Sequence, residues 1–143
     1  MMPHHVAVFS ENKPGKLEGV TTLLAGEGVN IRAITIADSG DFGVIKLLVD
    51  DPEKAVAILT DYGMVAALKE VVAARVPDRP GGLLQIARTL NKHQINVDDA
   101  YGFVLRSGHT GVFVIQVRNP KEASRLLRET GIELLDENDL YYL

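Results

Sequence analysis

The chain is written twice. Residues 6–30 align with residues 72–96 at an offset of 66, which sets Pro14 on Pro80, Gly15 on Gly81, Leu17 on Leu83, Leu24 on Leu90 and Asn30 on Asn96. Past the next turn the offset becomes 68, pairing Gly43 with Gly111, Val44 with Val112, Pro52 with Pro120, Leu59 with Leu127 and Gly63 with Gly131. The two extra residues fall near residues 106–110, a Gly-containing stretch where a hairpin absorbs them. An ordered series of matches with one gap, in a turn, marks a duplicated unit. Any fold for these 143 residues must therefore be a small module that works as a pair.

Each unit alternates two periods. Val6, Ala7, Val8 and Phe9 form a short run of strand formers. Pro14-Gly15 breaks the chain, and Leu17, Val20, Leu23 and Leu24 recur at the spacing of one helix face, closed by Gly26 and Gly28. Residues 31–37 and 44–49 read as strands around the polar turn Asp38-Ser39-Gly40-Asp41. Asp51-Pro52 opens a second helix, because Pro suits the first helical position and the acid before it caps free N–H groups. Ala55, Val56, Ile58 and Leu59 give that helix its buried stripe, and Gly63 closes it. In the second copy the same elements fall at residues 71–76, 82–92, 97–105, 112–117 and 120–130.

The pattern predicts an α+β architecture: two ferredoxin-like βαββαβ modules packed side by side, each an antiparallel sheet with helices on one face. Residues 44–49 are apolar apart from Lys46, so cover is expected on the second face of that strand as well. The last strand of the first unit has two readings. Residues 64–67 form a short closing strand, or the tail at 140–143 completes the first sheet by exchange, since 139–143 align with 71–75. Either way the boundary lies near residues 67–70 with no flexible linker, giving modules over 1–68 and 69–143.

Composition narrows the function. A formal net charge of -4 leaves no basic excess for a phosphate backbone, which argues against nucleic acid. Cysteine is absent, which removes disulfides, thiolate metal sites and cysteine nucleophiles. The opening residues are too briefly apolar for a signal peptide, and no apolar run reaches membrane-spanning length. A cytoplasmic protein without membrane contact is expected.

The two strand-to-helix loops concentrate the chemistry. They run Asn12-Lys13-Pro14-Gly15-Lys16-Leu17 and Asp78-Arg79-Pro80-Gly81-Gly82-Leu83. Each sets an Asx residue two positions before Pro-Gly and then enters a helix, whose first N–H groups and partial positive charge suit a carboxylate. Gly allows close backbone approach, and the Asx side chain can bond either the loop or a ligand. A capped turn explains the same residue types, so an isolated copy would not identify a site.

Together with Asn30-Ile31 and Asn96-Val97 at the start of each second strand, these motifs resemble the ACT domain, a small amino-acid-sensing module. The likeness extends through Asp38-Ser39-Gly40-Asp41-Phe42-Gly43, Asp51-Pro52 and the terminal Asp139-Leu140-Tyr141-Tyr142-Leu143, and it is similar to free-standing tandem ACT proteins with no attached enzyme. The resemblance implies a ligand held between modules, by the loop of one and the second-strand Asn of another. A zwitterion needs donors for its carboxylate and acceptors for its ammonium, and Asn supplies both. Asp78 suits an ammonium but repels a carboxylate, so the first loop fits the pattern more fully than the second. The implied protein is a non-catalytic sensor of a free amino acid, needing no cofactor or metal. The resemblance also implies a partner enzyme or regulator of amino-acid metabolism, and the apolar run at 44–49 leads one to expect a homodimer.

Two other classes compete. An acylphosphatase-like hydrolase on the same fold would use Arg79 and Asn96, but copy one has Lys13 in place of the Arg and the glycine-rich anion cradle is missing. An assembly module with no ligand is the other. His4 and His5 at the terminus, His93 at a helix end and His109 in the hairpin have no neighbours at triad or metal-ligand spacing. The run Lys121, Glu122, Arg125, Arg128, Glu129 follows helical spacing and reads as a solvated face, and Tyr141-Tyr142 as edge-strand packing.

Overall fold

A computed structural model describes residues 2–143. The chain divides into two compact units: His4–Lys69 with Tyr142, and Glu70–Tyr141 with residues 2–3 and Leu143.

The first unit carries β1 (His4–Glu11), α1 (Lys16–Gly26), β2 (Ile31–Ser39), β3 (Phe42–Val49), α2 (Pro52–Asp61) and β4 (Val65–Glu70). Its strands lie in the order β2-β3-β1-β4, with β3 antiparallel to both β1 and β2. Val6 faces Leu47 and Val8 faces Ile45 across the first pair. These four pack against Val20 and Leu24 of α1 and Ala55 and Leu59 of α2, all fully or nearly fully buried. Full burial of one such side chain is worth about 1.5–3 kcal/mol, and that term holds the helices to the sheet.

The second unit repeats the plan with β5 (Val72–Pro77), α3 (Leu84–Lys92), β6 (Val97–Arg106), β7 (Thr110–Val117), α4 (Pro120–Glu129) and β8 (Leu134–Leu135). Its order is β6-β7-β5-β8. Val72, Ala74, Ile115 and Val117 face Ile86 and Leu90 of α3 and Ala123 and Leu127 of α4. A short helix, α5 (Glu137–Tyr141), follows.

Helix boundaries follow the local chemistry. Asp51 and Asn119 accept from the N–H groups of Lys54 and Glu122, and Pro52 and Pro120 occupy the first helical positions. Four helix ends close with a left-handed residue and a bond back to the last turn. Gly28, Gly63 and Gly131 fill three of these positions, whereas Gln94 takes the fourth with φ 54°. α3 starts at Leu84 rather than Gly82, because residues 80–83 form a tight turn.

Alternation along the strands puts His5, Ala7 and Leu48 on the sheet face away from α1 and α2, and all three are buried. In the second sheet Ala73, Val112 and Val114 lie on the corresponding face and are buried too.

The closing strand of the first sheet is β4, from the chain's own next segment, and the tail is not exchanged as a strand. Asp136 accepts from the N–H of Asp139 at 2.8 Å and turns the tail into α5. Tyr141, read above as edge-strand packing, is instead the buried end of this helix, and Tyr142 beyond it is exposed.

Candidate functional site

The loop after β1 meets the β2–β3 hairpin, because Glu11 pairs with Phe42 at that end of the sheet. Asn12 makes the tie. Its backbone N–H donates to the Asp41 carbonyl at 2.8 Å, and its Nδ2 donates to Asp38 Oδ1 at 2.8 Å and to the Gly40 carbonyl at 3.2 Å. Gly15 caps α1 in the left-handed region with φ 91° and offers no side chain to the helix's first N–H groups. Lys13 pairs with Glu11 at 3.2 Å in the open. The hydrogen bond and charge of Lys13, helped by Lys16, hold the Glu11 carboxyl below the usual carboxylate range.

The second loop makes the same tie in the reverse sense. Here the side chain accepts: Gly108 N–H donates to Asp78 Oδ2 at 2.7 Å, while Asp78 N–H donates to the His109 carbonyl at 3.1 Å. The turn that follows is tight, with Arg79 N–H on the Pro77 carbonyl at 3.0 Å and Gly82 N–H on the Arg79 carbonyl at 2.9 Å. A side chain at Gly82 has no room, since its Cβ would stand 2.1 Å from the Pro77 oxygen.

This loop and the strands beneath it border an open cavity of about 350 Å³. Asp78, Arg79, Gly82 and Leu83 form one wall, and Gly102, Phe103 and Phe113 contribute to the other. Both charge signs reach an otherwise largely apolar recess, a donor and acceptor set that matches a small zwitterion with an apolar side chain. Pro80 and Gly81 shape the turn without lining the cavity. At the first loop Gly15 borders a shallower recess with Glu18, Gly19, Thr22, Leu23, Tyr62 and Met64, between α1 and the end of α2. Asn12, Lys13, Pro14, Lys16 and Leu17 are not among its walls.

Asn30 and Asn96 lie elsewhere. Asn30 sits before β2, at the opposite end of the sheet from loop 12–17, where its N–H donates to Asp50 Oδ1 at 2.9 Å. Asn96 holds the equivalent place before β6 and donates from Nδ2 to Asp98 Oδ1 at 3.1 Å. The strand between such an Asn and the hairpin end spans roughly 25 Å, so no single module brings its loop and its Asn together. Ile31 and Val97 open their strands beside these residues.

Sequence reasoning missed the cavity's second wall. Gly102 inside a strand was its one available signal, since a strand glycine often marks close approach. Among the described residues no group of three His, Asp or Glu could hold a metal ion, and no helix is long and apolar enough to cross a membrane.

Comparison with known proteins gives a consistent picture. Residues 1–143 match the family model described as an ACT domain pair. The crystal structure of protein BT0572 from Bacteroides thetaiotaomicron is 32% identical, covers 100% of this chain and 98% of its own, and superposes with a TM-score of 0.93. The regulatory subunit of aspartate kinase from Thermus thermophilus, in its ligand-free form, is 15% identical with a TM-score of 0.63, over 90% of this chain and 93% of its own. Its counterpart from Thermus flavus is 14% identical with a TM-score of 0.59, over 92% and 94%. At those identities the likeness is one of fold. A search of curated proteins finds no match.

Proposed function

This chain belongs to the ACT domain pair family, and from that premise we propose that it is a non-catalytic regulatory protein that binds a free amino acid at an interface between ACT modules. The modules are taken as residues 1–68 and 69–143. The observation that carries the reading is the cavity under the second loop, where Asp78 and Arg79 present opposite charges beside an apolar wall. Arg79 takes the ligand carboxylate with the backbone N–H of Leu83, and Asp78 takes the ammonium.

Asn12, Lys13, Pro14, Gly15, Lys16 and Leu17 play the corresponding part in the first copy. Asn30-Ile31 and Asn96-Val97 each complete a site on another module. A ligand that bridges modules favours one arrangement over another by its difference in affinity, and a partner that recognises that arrangement reads the signal. That partner is an enzyme or regulator of amino-acid metabolism, and the sensor works in the cytoplasm as a homodimer.

A thermal-shift screen against the twenty amino acids tests the reading. A ligand at about 100 times its dissociation constant adds roughly 2.7 kcal/mol of stability. One chemical class should raise the melting temperature, and Arg79→Ala or Asn30→Ala should each reduce the rise. If no amino acid shifts the curve at millimolar concentration, the sensor reading fails and a ligand-free assembly role takes its place.

A further inference from the structure

A second recess, of about 270 Å³, opens away from the loops, between α4 and β8. Its floor is apolar, built from Val72, Leu134 and Leu135 among others. Its rim is charged. Lys121, Ser124 and Arg128 share one face of α4, being three and four residues apart, and Asp136 follows β8 nearby.

The polar groups that α4 brings to this recess are under-used. Ser124 is 2% exposed, yet its hydroxyl donates only to Met2 Sδ, at 3.4 Å, and a thioether is a weak acceptor. Arg125 on the same helix pairs with Glu129 at 2.9 Å, whereas neither Lys121 nor Arg128 has a carboxylate partner among the described residues. Lys121 also stands in the first turn of α4, where a cation opposes the helix dipole and an anion would relieve it.

We propose that this recess binds a small aliphatic carboxylate. Lys121 and Arg128 hold the carboxylate, the Ser124 hydroxyl turns from sulfur to a ligand oxygen, and the hydrocarbon body lies on Val72, Leu134 and Leu135. Asp136 adds an acceptor at the rim, which an amino acid's ammonium can use and a simple acid or oxo acid cannot. Phosphate would meet the two cations but leave the apolar floor open to water.

The test is an amide-resolved NMR titration of the full chain with isocaproate, ketoisocaproate, leucine and inorganic phosphate. At least one of the three organic acids should move the amides of residues 121–128 and 134–136. Lys121→Met with Arg128→Met, both exposed positions that keep their stems, should weaken that binding about tenfold or more, as expected for lost charge-assisted bonds. Leucine binding tighter than isocaproate, with the advantage removed by Asp136→Asn, identifies an amino acid as the source; the reverse order identifies a simple or oxo acid. Binding should survive Arg79→Ala, which separates this recess from the loop cavity. The proposal is overturned if none of the organic acids moves these amides, if the double variant binds unchanged, or if phosphate binds as tightly as the organic acids.

Discussion

A single methyl group at Gly82 probes the shape of the second loop. Its Cβ would stand 2.1 Å from the Pro77 oxygen and 3.1 Å from the Arg79 oxygen, against a usual carbon–oxygen approach of about 3.3 Å. More than an ångström of overlap must be relieved by moving backbone. The Pro77 carbonyl also accepts from Arg79, and the Arg79 carbonyl accepts from Gly82 itself, so relief stretches both turn bonds. Overpacking costs about 1–3 kcal/mol and each weakened bond about 1 kcal/mol, while a stiffer unfolded chain returns about half to 1 kcal/mol. Gly82→Ala should therefore lose about 2–4 kcal/mol.

Gly81→Ala is the control. Its Cβ meets nothing within 4 Å, and its cost comes only from φ +83°, about 1–2 kcal/mol before the same unfolded-state gain. The residue with the more ordinary backbone should thus be the more sensitive one. Urea denaturation followed by circular dichroism reads both variants, and with a slope of about 1–3 kcal/mol/M the Gly82→Ala midpoint should fall by about 1 M or more. Should Gly82→Ala prove as stable as Gly81→Ala, the loop does not have this conformation and the cavity argument falls with it.

Three further outcomes are expected. Gln94→Gly should stabilise the protein by about half to 1 kcal/mol, because Gln94 holds φ 54° where three equivalent helix ends have Gly; no rise in the urea midpoint would contradict that. Leu127→Ala, at 0% exposure in the second core, should cost about 3–5 kcal/mol, and a loss under 1 kcal/mol would mean the site collapses without a cavity. Burial pushes the Tyr101 phenol up, with Asp99 and Tyr141 adding to it. Above about pH 10 the unfolded state loses a proton that the folded state keeps, so stability present below that pH should decline as it rises further. Tyr101→Phe should flatten that alkaline slope in urea titrations, and an unchanged slope would rule Tyr101 out as its source.

Much of the fold was legible because each boundary carries its own chemistry. Asp51-Pro52 and Asn119-Pro120 announce helix starts by the same capping bond, and Gly28, Gly63 and Gly131 announce ends. The junction between β4 and β5 was harder, since residues 64–76 contain neither Gly nor Pro to mark where one strand stops. The tail misled for a different reason. Leu140, Tyr141 and Tyr142 suit a strand, but Asp136 captures the Asp139 N–H and commits the segment to a helical turn. The candidate loops were readable as motifs, whereas the cavity is made by Gly102 and Phe113, whose nearness depends on register across β6 and β7. Lys121 and Arg128 were read as solvated and are exposed, but what they overlook is decided by β8.

The brevity of β8 bears on how this protein avoids unwanted polymerisation. A strand of two residues, Leu134–Leu135, presents too few ladder groups to seed a stack of further chains. Glu133 continues the cover by accepting from Arg75 N–H at 2.9 Å and pairing with its guanidinium at 3.3 Å. The other flank of the same sheet is the ten-residue β6, long enough to be a hazard, but its pairing slips near both ends and it carries Asp98, Asp99 and Arg106. Irregular pairing and charge make such a flank a poor template for fibre growth. A substitution that straightened and neutralised β6 would leave the module folded while turning that flank into a site of self-assembly.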